Sequence, residues 1–163
     1  MKILILFFLV TATLQAQHQD FINRFYQVAM TENRLYGIPA SVTLAQAILE
    51  TGGGTSLGFK DHKNSFGIRC TKKKHINCCA PYVDAGDKIR LRKYNTCWES
   101  FRCHSKYITS GKYADMYGTC GLDPYKWCDE LQKRGYSSNK QYSKRLKKLI
   151  QQYDLTIYDQ SYL

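Results

Sequence analysis

Residues 40–50 place Val42, Leu44, Ala45, Ile48 and Leu49 at helical spacing, and the chain then runs into Gly52-Gly53-Gly54. An apolar stripe of that period predicts a helix packed into a core, and Pro39 suits its first turn. The glycine run stops it at once. A single acid, Glu50, therefore falls in the last turn of an otherwise apolar helix.

A carboxylate in that position faces the negative end of the helix dipole, and an apolar wall beside it disfavours ionisation further. Both effects raise the pKa, as a general acid requires if it is to hold a proton near neutral pH. Taken alone, a glutamate before a glycine run is more often a solvated helix end.

The rest of the chain is helical at both ends and irregular in the middle. Residues 19–35 read as an amphipathic helix with Phe21, Ile22, Phe25, Val28 and Ala29 inward. Between Gly52 and Tyr94 the helical period disappears; Pro81, scattered glycines and the alternating run 88–92 predict loops and a small hairpin. Helical spacing returns at 97–109, 112–117, 124–134 and 140–152. There is no internal repeat and no Ser- or Pro-rich linker, so the pattern is that of one α+β domain.

Residues 1–16 contain Lys2, an apolar run from Ile3 to Val10, and small or polar residues before Ala16, the layout of a secretory signal peptide. The run is too short to span a bilayer. Removing these 16 of the 163 residues leaves 147 in one domain, 17–163, and removes one Lys and no acid, so the formal charge falls from +11 to +10. An exported chain of that charge favours anionic envelope polymers over nucleic acid, and a secreted or periplasmic location at the cell envelope. The clusters are Lys72-Lys73-Lys74, the run 88–93, and Lys144-Arg145 with Lys147-Lys148.

All seven cysteines lie in the exported part, where disulfides persist, and the odd count leaves at least one unpaired or intermolecular. Cys120 with Cys128, closing a short loop, is the one pairing expected. Cys70, His75, Cys78 and Cys79 have poor metal-ligand spacing, so neither a metal nor another cofactor is expected.

Four blocks then match a known family in order: Phe21 to Phe25 with Gly37-Ile38-Pro39-Ala40-Ser41 through Glu50-Thr51-Gly52; Asn64-Ser65-Phe66-Gly67-Ile68; Arg92-Lys93-Tyr94 with Trp98-Glu99-Ser100-Phe101 and His104-Ser105; and Lys112-Tyr113-Ala114 with Gly135-Tyr136-Ser137, Tyr142 and Leu146. Over residues 21–155 the chain resembles the peptidoglycan β-N-acetylglucosaminidases of glycoside hydrolase family 73, the glucosaminidase domains of flagellar rod-assembly proteins and autolysins. The resemblance implies a lysozyme-like fold, a mainly helical lobe and a small β-hairpin lobe enclosing a cleft. It implies an enzyme acting on peptidoglycan glycan strands at the β-1,4 bond after N-acetylglucosamine, with Glu50 as general acid; a monomer is expected.

By the same resemblance Tyr136 lines the cleft and supports catalysis, and a second acid lies in the β lobe, where Asp84 and Asp87 are the only acids between Asp61 and Glu99 and Asp84 is preferred. Asp84 can equally be a turn residue near Gly86, and attack by the sugar's own acetamido group would need no enzymic nucleophile. Asn64, Phe66 and Glu99 are the candidate substrate-binding residues. Asn64 and Phe66 can equally shape their turn, and Glu99 suits a structural hydrogen bond better than catalysis. The chain departs from the family in having Gly53 where an aromatic is common, Asn139 where Asp is common, and Cys103 before His104. A non-catalytic cationic wall-binding protein, or an antibacterial effector or lysin with the same chemistry, is the alternative reading.

Overall fold

The computed structural model of the chain describes residues 2–70, 82–84 and 90–159, with side chains for 12–70 and 90–159. The first helix, α1 (Lys2–Tyr36), is longer than the predicted 19–35. No Pro or Gly interrupts residues 2–36, so nothing in the backbone ends the helix earlier. It stops at Gly37, whose φ of 67° is left-handed, and the Asn33 amide donates to Ile38 O at 2.8 Å across the turn. Phe21, Ile22, Phe25, Val28 and Ala29 are all buried. Among the described residues no helix is long and apolar enough to cross a membrane.

Helix α2 (Ala40–Thr51) is the centre of the molecule. It packs against α1, α6 (Pro124–Lys133), α7 (Tyr142–Gln152) and the 3-10 turn Leu155–Tyr158. Ten of its twelve residues are buried, polar Ser41, Thr43, Gln46 and Thr51 among them. Residue burial thus extends well beyond the apolar stripe seen in the sequence. Pro39 makes no side-chain cap; the Asp159 carboxylate, 118 residues away, accepts from Ser41 N at 2.8 Å and from Ser41 Oγ at 2.5 Å. An acid at that helix end meets free N–H groups and the positive end of the dipole.

The irregular middle holds a helix that the periodicity did not show, α3 (Leu57–His62), six residues long and capped by Ser56, which accepts from Phe59 N. Strands β1 (Tyr82–Asp84) and β2 (Arg90–Arg92) form the expected small hairpin, antiparallel with Val83 opposite Leu91. The segment Ile68–Cys70 adds to its edge: Cys70 N donates to Arg90 O and Arg92 N to Ile68 O. Helix α4 (Cys97–Ile108) lies against α1, tied by Arg102 Nε to both oxygens of the buried Glu32 at 3.0 Å. The 3-10 turn Gly111–Tyr113 and α5 (Met116–Cys120) follow. The cluster Lys72-Lys73-Lys74, His75, Cys78, Cys79, Asp87 and Lys88 lie outside the described residues.

The expected Cys120–Cys128 disulfide is absent: both are free, buried thiols. Their loop is closed by other means. Trp127, fully buried, donates Nε1–H to Gly121 O at 2.9 Å, and Asp123 caps α6 through Tyr125 N and Lys126 N. Burial pushes the Cys128 thiol up to about 12, so it is protonated and unreactive at neutral pH. Cys70 and Cys97 are also free, whereas Cys103 is disulfide-bonded.

Because Asp159 supplies the cap that α2 lacks locally, Asp159→Ala is expected to cost about 1 kcal/mol. In a domain of this size that lowers Tm by about 2–4 °C. An unchanged melting curve would show that the cap contributes nothing.

Candidate active site

Glu50 sits in the last turn of α2, half-buried, because Gly52 at φ 59° takes the left-handed cap and turns the chain away. The glycine run is held from outside: Gln17 Nε2 donates to Gly52 O at 2.7 Å, and Thr51 Oγ1 accepts from Gly54 N at 2.9 Å. At Gly53 a Cβ would lie 2.4 Å from the His18 ring, in a backbone conformation with φ 66°. This accounts for glycine where the family often has an aromatic: there is no room for one.

Around the carboxyl the structure gathers a set of polar groups from distant parts of the chain. Tyr142, buried at the start of α7, donates its hydroxyl to Glu50 Oε1 at 3.3 Å and accepts from Gln46 Nε2 at 3.0 Å. Gln46 is one turn back along α2, so a single helix supplies both the acid and the amide that orients its partner. Tyr136 stacks on Tyr142 with ring centroids 5.4 Å apart and planes at 25°. It follows Gly135, whose φ of 69° bends the chain at the end of α6, and its N–H closes on Leu131 O. On the remaining side stands Gly67, where a Cβ would lie 3.9 Å from Glu50 Oε2, in ordinary contact.

The Glu50 carboxyl is held above the usual range, with burial the leading cause; the Tyr142 hydrogen bond and the Arg145 charge pull the other way. Tyr136 is raised well above the ordinary phenol, first by burial and then by Tyr142 and Glu50. It is therefore a fixed O–H at any physiological pH. The site pairs a carboxyl of raised proton affinity with a neutral phenol.

The other sequence candidates play different parts. Asn64 is buried, its amide donating to Ile68 O and Arg92 O while its Oδ1 accepts from Phe66 N and Ile68 N. All of its hydrogen-bonding capacity is spent inside the protein, and no group remains for a sugar. Phe66 is also buried, stacked on His104 at 3.8 Å and edge-on to Phe101. These two residues build the turn that brings Gly67 to Glu50, anchored further by Ser65 N to Ser100 Oγ at 2.9 Å. Glu99 is exposed in the first turn of α4, where its Oε2 accepts from Asn95 N while Thr96 Oγ1 accepts from Glu99 N, a capping arrangement. Asp84 lies on β1 opposite Arg90; its side chain is outside the described residues.

Tyr142, Gln46, Arg145, Gly67 and His104 had no role assigned from sequence. Gln46 carried a signal, a lone amide four residues before Glu50 on an apolar helix. His104 is fully buried, edge-on to Tyr136, with neither ring nitrogen hydrogen-bonded, and burial lowers it to about 3, so the ring is neutral. Among the described residues no group of His, Cys, Asp and Glu is placed to hold a metal ion.

With this geometry in view, the chain can be set beside known proteins. It is 28% identical over 155 residues to the exo-glucosaminidase LytG of Bacillus subtilis (strain 168), covering 88% of this chain and 54% of LytG, so it spans about half the length of that relative. The catalytic domain of the autolysin Auto from Listeria monocytogenes superposes with a TM-score of 0.69 at 26% identity, covering 88% of each chain. A peptidoglycan hydrolase from Sphingomonas sp. A1 superposes with a TM-score of 0.68 at 25% identity, covering 86% of this chain and 92% of that one. The glucosaminidase family model, described as mannosyl-glycoprotein endo-beta-N-acetylglucosaminidase, matches residues 26–155, and the chain belongs to that family.

Proposed function

We propose that the chain hydrolyses the β-1,4 bond after N-acetylglucosamine in peptidoglycan glycan strands, with Glu50 as the general acid. The observation that carries the reading is the half-buried Glu50 carboxyl, raised by burial and steadied by the Tyr142 hydroxyl, in a chain of the glucosaminidase family. LytG is named an exo-glucosaminidase, Auto an autolysin and the Sphingomonas protein a peptidoglycan hydrolase, and together these names support the substrate class.

In this scheme Glu50 delivers its proton to the leaving glycosidic oxygen as the bond breaks, and the sugar develops oxocarbenium character. Gly67 leaves the Oε2 side of the carboxyl without a side chain. Tyr136 offers its hydroxyl to the acetamido group or to the attacking water. The positive charge is met by Asp84 or by the substrate's own acetamido oxygen. A covalent route places the two carboxyls about 5 Å apart and direct water attack about 6.5–9.5 Å apart. Residues 1–16 are a removable export segment in this reading, and the mature domain acts at the cell envelope as a monomer.

Glu50→Gln keeps the shape and removes the proton. Turnover on purified peptidoglycan is expected to fall by at least about 10²-fold, with Tm little changed. Mass spectrometry of borohydride-reduced products should show ends in reduced N-acetylglucosamine from the native chain alone. Ends in reduced N-acetylmuramic acid would change the bond cut, and no soluble fragments from either protein would favour a wall-binding role.

The pH profile gives a second test. Activity requires protonated Glu50 and is lost as pH rises through its pKa. Tyr142 stabilises the carboxylate, so Tyr142→Phe raises that pKa and moves the alkaline limb of kcat/KM to higher pH. Arg145→Gln moves it the same way. A limb that moved to lower pH in either variant would contradict the assignment of Glu50 as the acid.

A further inference from the structure

Helix α7 has two polar faces, and only one is used by the site above. Tyr142 and Arg145 act on Glu50. At about 100° per residue, Lys144, Lys147 and Gln151 lie roughly 140–180° round the helix from Tyr142, and Lys148 about 120°. There, between α6 and α7, is a groove of about 630 Å³ lined by Asp129, Ser143, Lys140, Lys144, Lys147 and Lys148, with Gln132 and Gln151.

Its floor is internally satisfied. Ser143 Oγ donates to Asp129 at 2.6 Å, Ser143 N donates to Gln132 Oε1 at 2.9 Å, and Lys147 pairs with Asp129 at 2.7 Å. The one acid of the groove is thereby neutralised by one of the four lysines. Lys140, Lys144 and Lys148 are exposed, and among the described residues none of them pairs with an acid. Three unpaired ammonium groups remain. Lys144 and Lys148 are one turn, about 6 Å, apart, and Lys140 extends the row beyond the start of the helix.

We propose that this groove binds a linear polyol-phosphate polymer attached to the cell wall, holding the domain on its substrate through the side of α7 turned away from Tyr142. The inference rests on the cell-wall function proposed above. Lysine supplies compact charges on flexible stems, which suit successive phosphates along a chain. Every lining residue is polar. None of the lining residues is aromatic, so the groove offers no ring on which a nucleic-acid base could stack. A row of unpaired point charges fits a repeating phosphodiester.

The test compares the purified native chain with Lys140→Gln/Lys144→Gln/Lys148→Gln on walls that carry polyol-phosphate polymer and on the same walls stripped of it with hydrofluoric acid. The native chain is expected to bind the untreated walls about tenfold more tightly than the stripped ones, with steep salt dependence. The triple variant should lose that difference while digesting stripped walls at the native rate. Equal binding of the variant to untreated walls, or equal binding of the native chain to both walls, would overturn the groove assignment. Failure of the native chain to digest stripped walls would instead overturn the hydrolase reading, and lysine-dependent binding to untreated walls would still stand.

Discussion

The enclosure of α2 is the constraint on which the rest of this structure depends. Three helices and a C-terminal turn surround it, so ten of its twelve residues leave water and its backbone cannot drift. A helix held so firmly must still end, and it ends where three glycines let the chain turn through left-handed backbone. Glu50 is the residue at that exit. Its side chain is fixed by the packing of the helix and half shielded by what the turn folds against.

Shielding alone would leave a carboxyl whose ionisation is simply suppressed. The surroundings temper it: Tyr142 donates to the carboxylate, Arg145 contributes positive charge, and burial still outweighs both. Gln46 fixes the Tyr142 hydroxyl, and Tyr136 stacks on its ring. The acid, its donor and the donor's anchor thus form one chain of contacts, in which small changes in hydrogen bonding become changes in proton affinity. The Asn64 turn completes the arrangement by spending all its polar capacity on itself and presenting a glycine to the acid.

What the sequence made legible follows from periodicity. The apolar spacing of residues 40–50 and the glycine stop identified α2 and the position of Glu50, and the inward residues of α1 were readable in the same way. Helix α3 was not, because six residues with one buried side chain, Phe59, carry no period; only Ser56 as a cap marked it. The Cys120–Cys128 expectation failed because proximity in sequence says nothing of what else can close a loop, here an indole and an aspartate cap. The partner of Glu50 was hidden by distance. Tyr142 is 92 residues away and one of thirteen tyrosines; the family resemblance includes it, but nothing local to it points to Glu50. For Asn64 the sequence left sugar contact and turn shape open, and its side-chain hydrogen bonds all go to its own turn and to Arg92 O.

The central claim is that the fold keeps a proton on Glu50 beyond the ordinary carboxylate range. Its most direct measurement is the titration of that single carboxyl, by ¹³C NMR of chain labelled at the glutamate side-chain carboxyls, with Glu50→Gln assigning the signal. The account predicts a midpoint above the ordinary glutamate value of 4.5. A midpoint at or below it would contradict the account, because burial would then be outweighed by Tyr142 and Arg145.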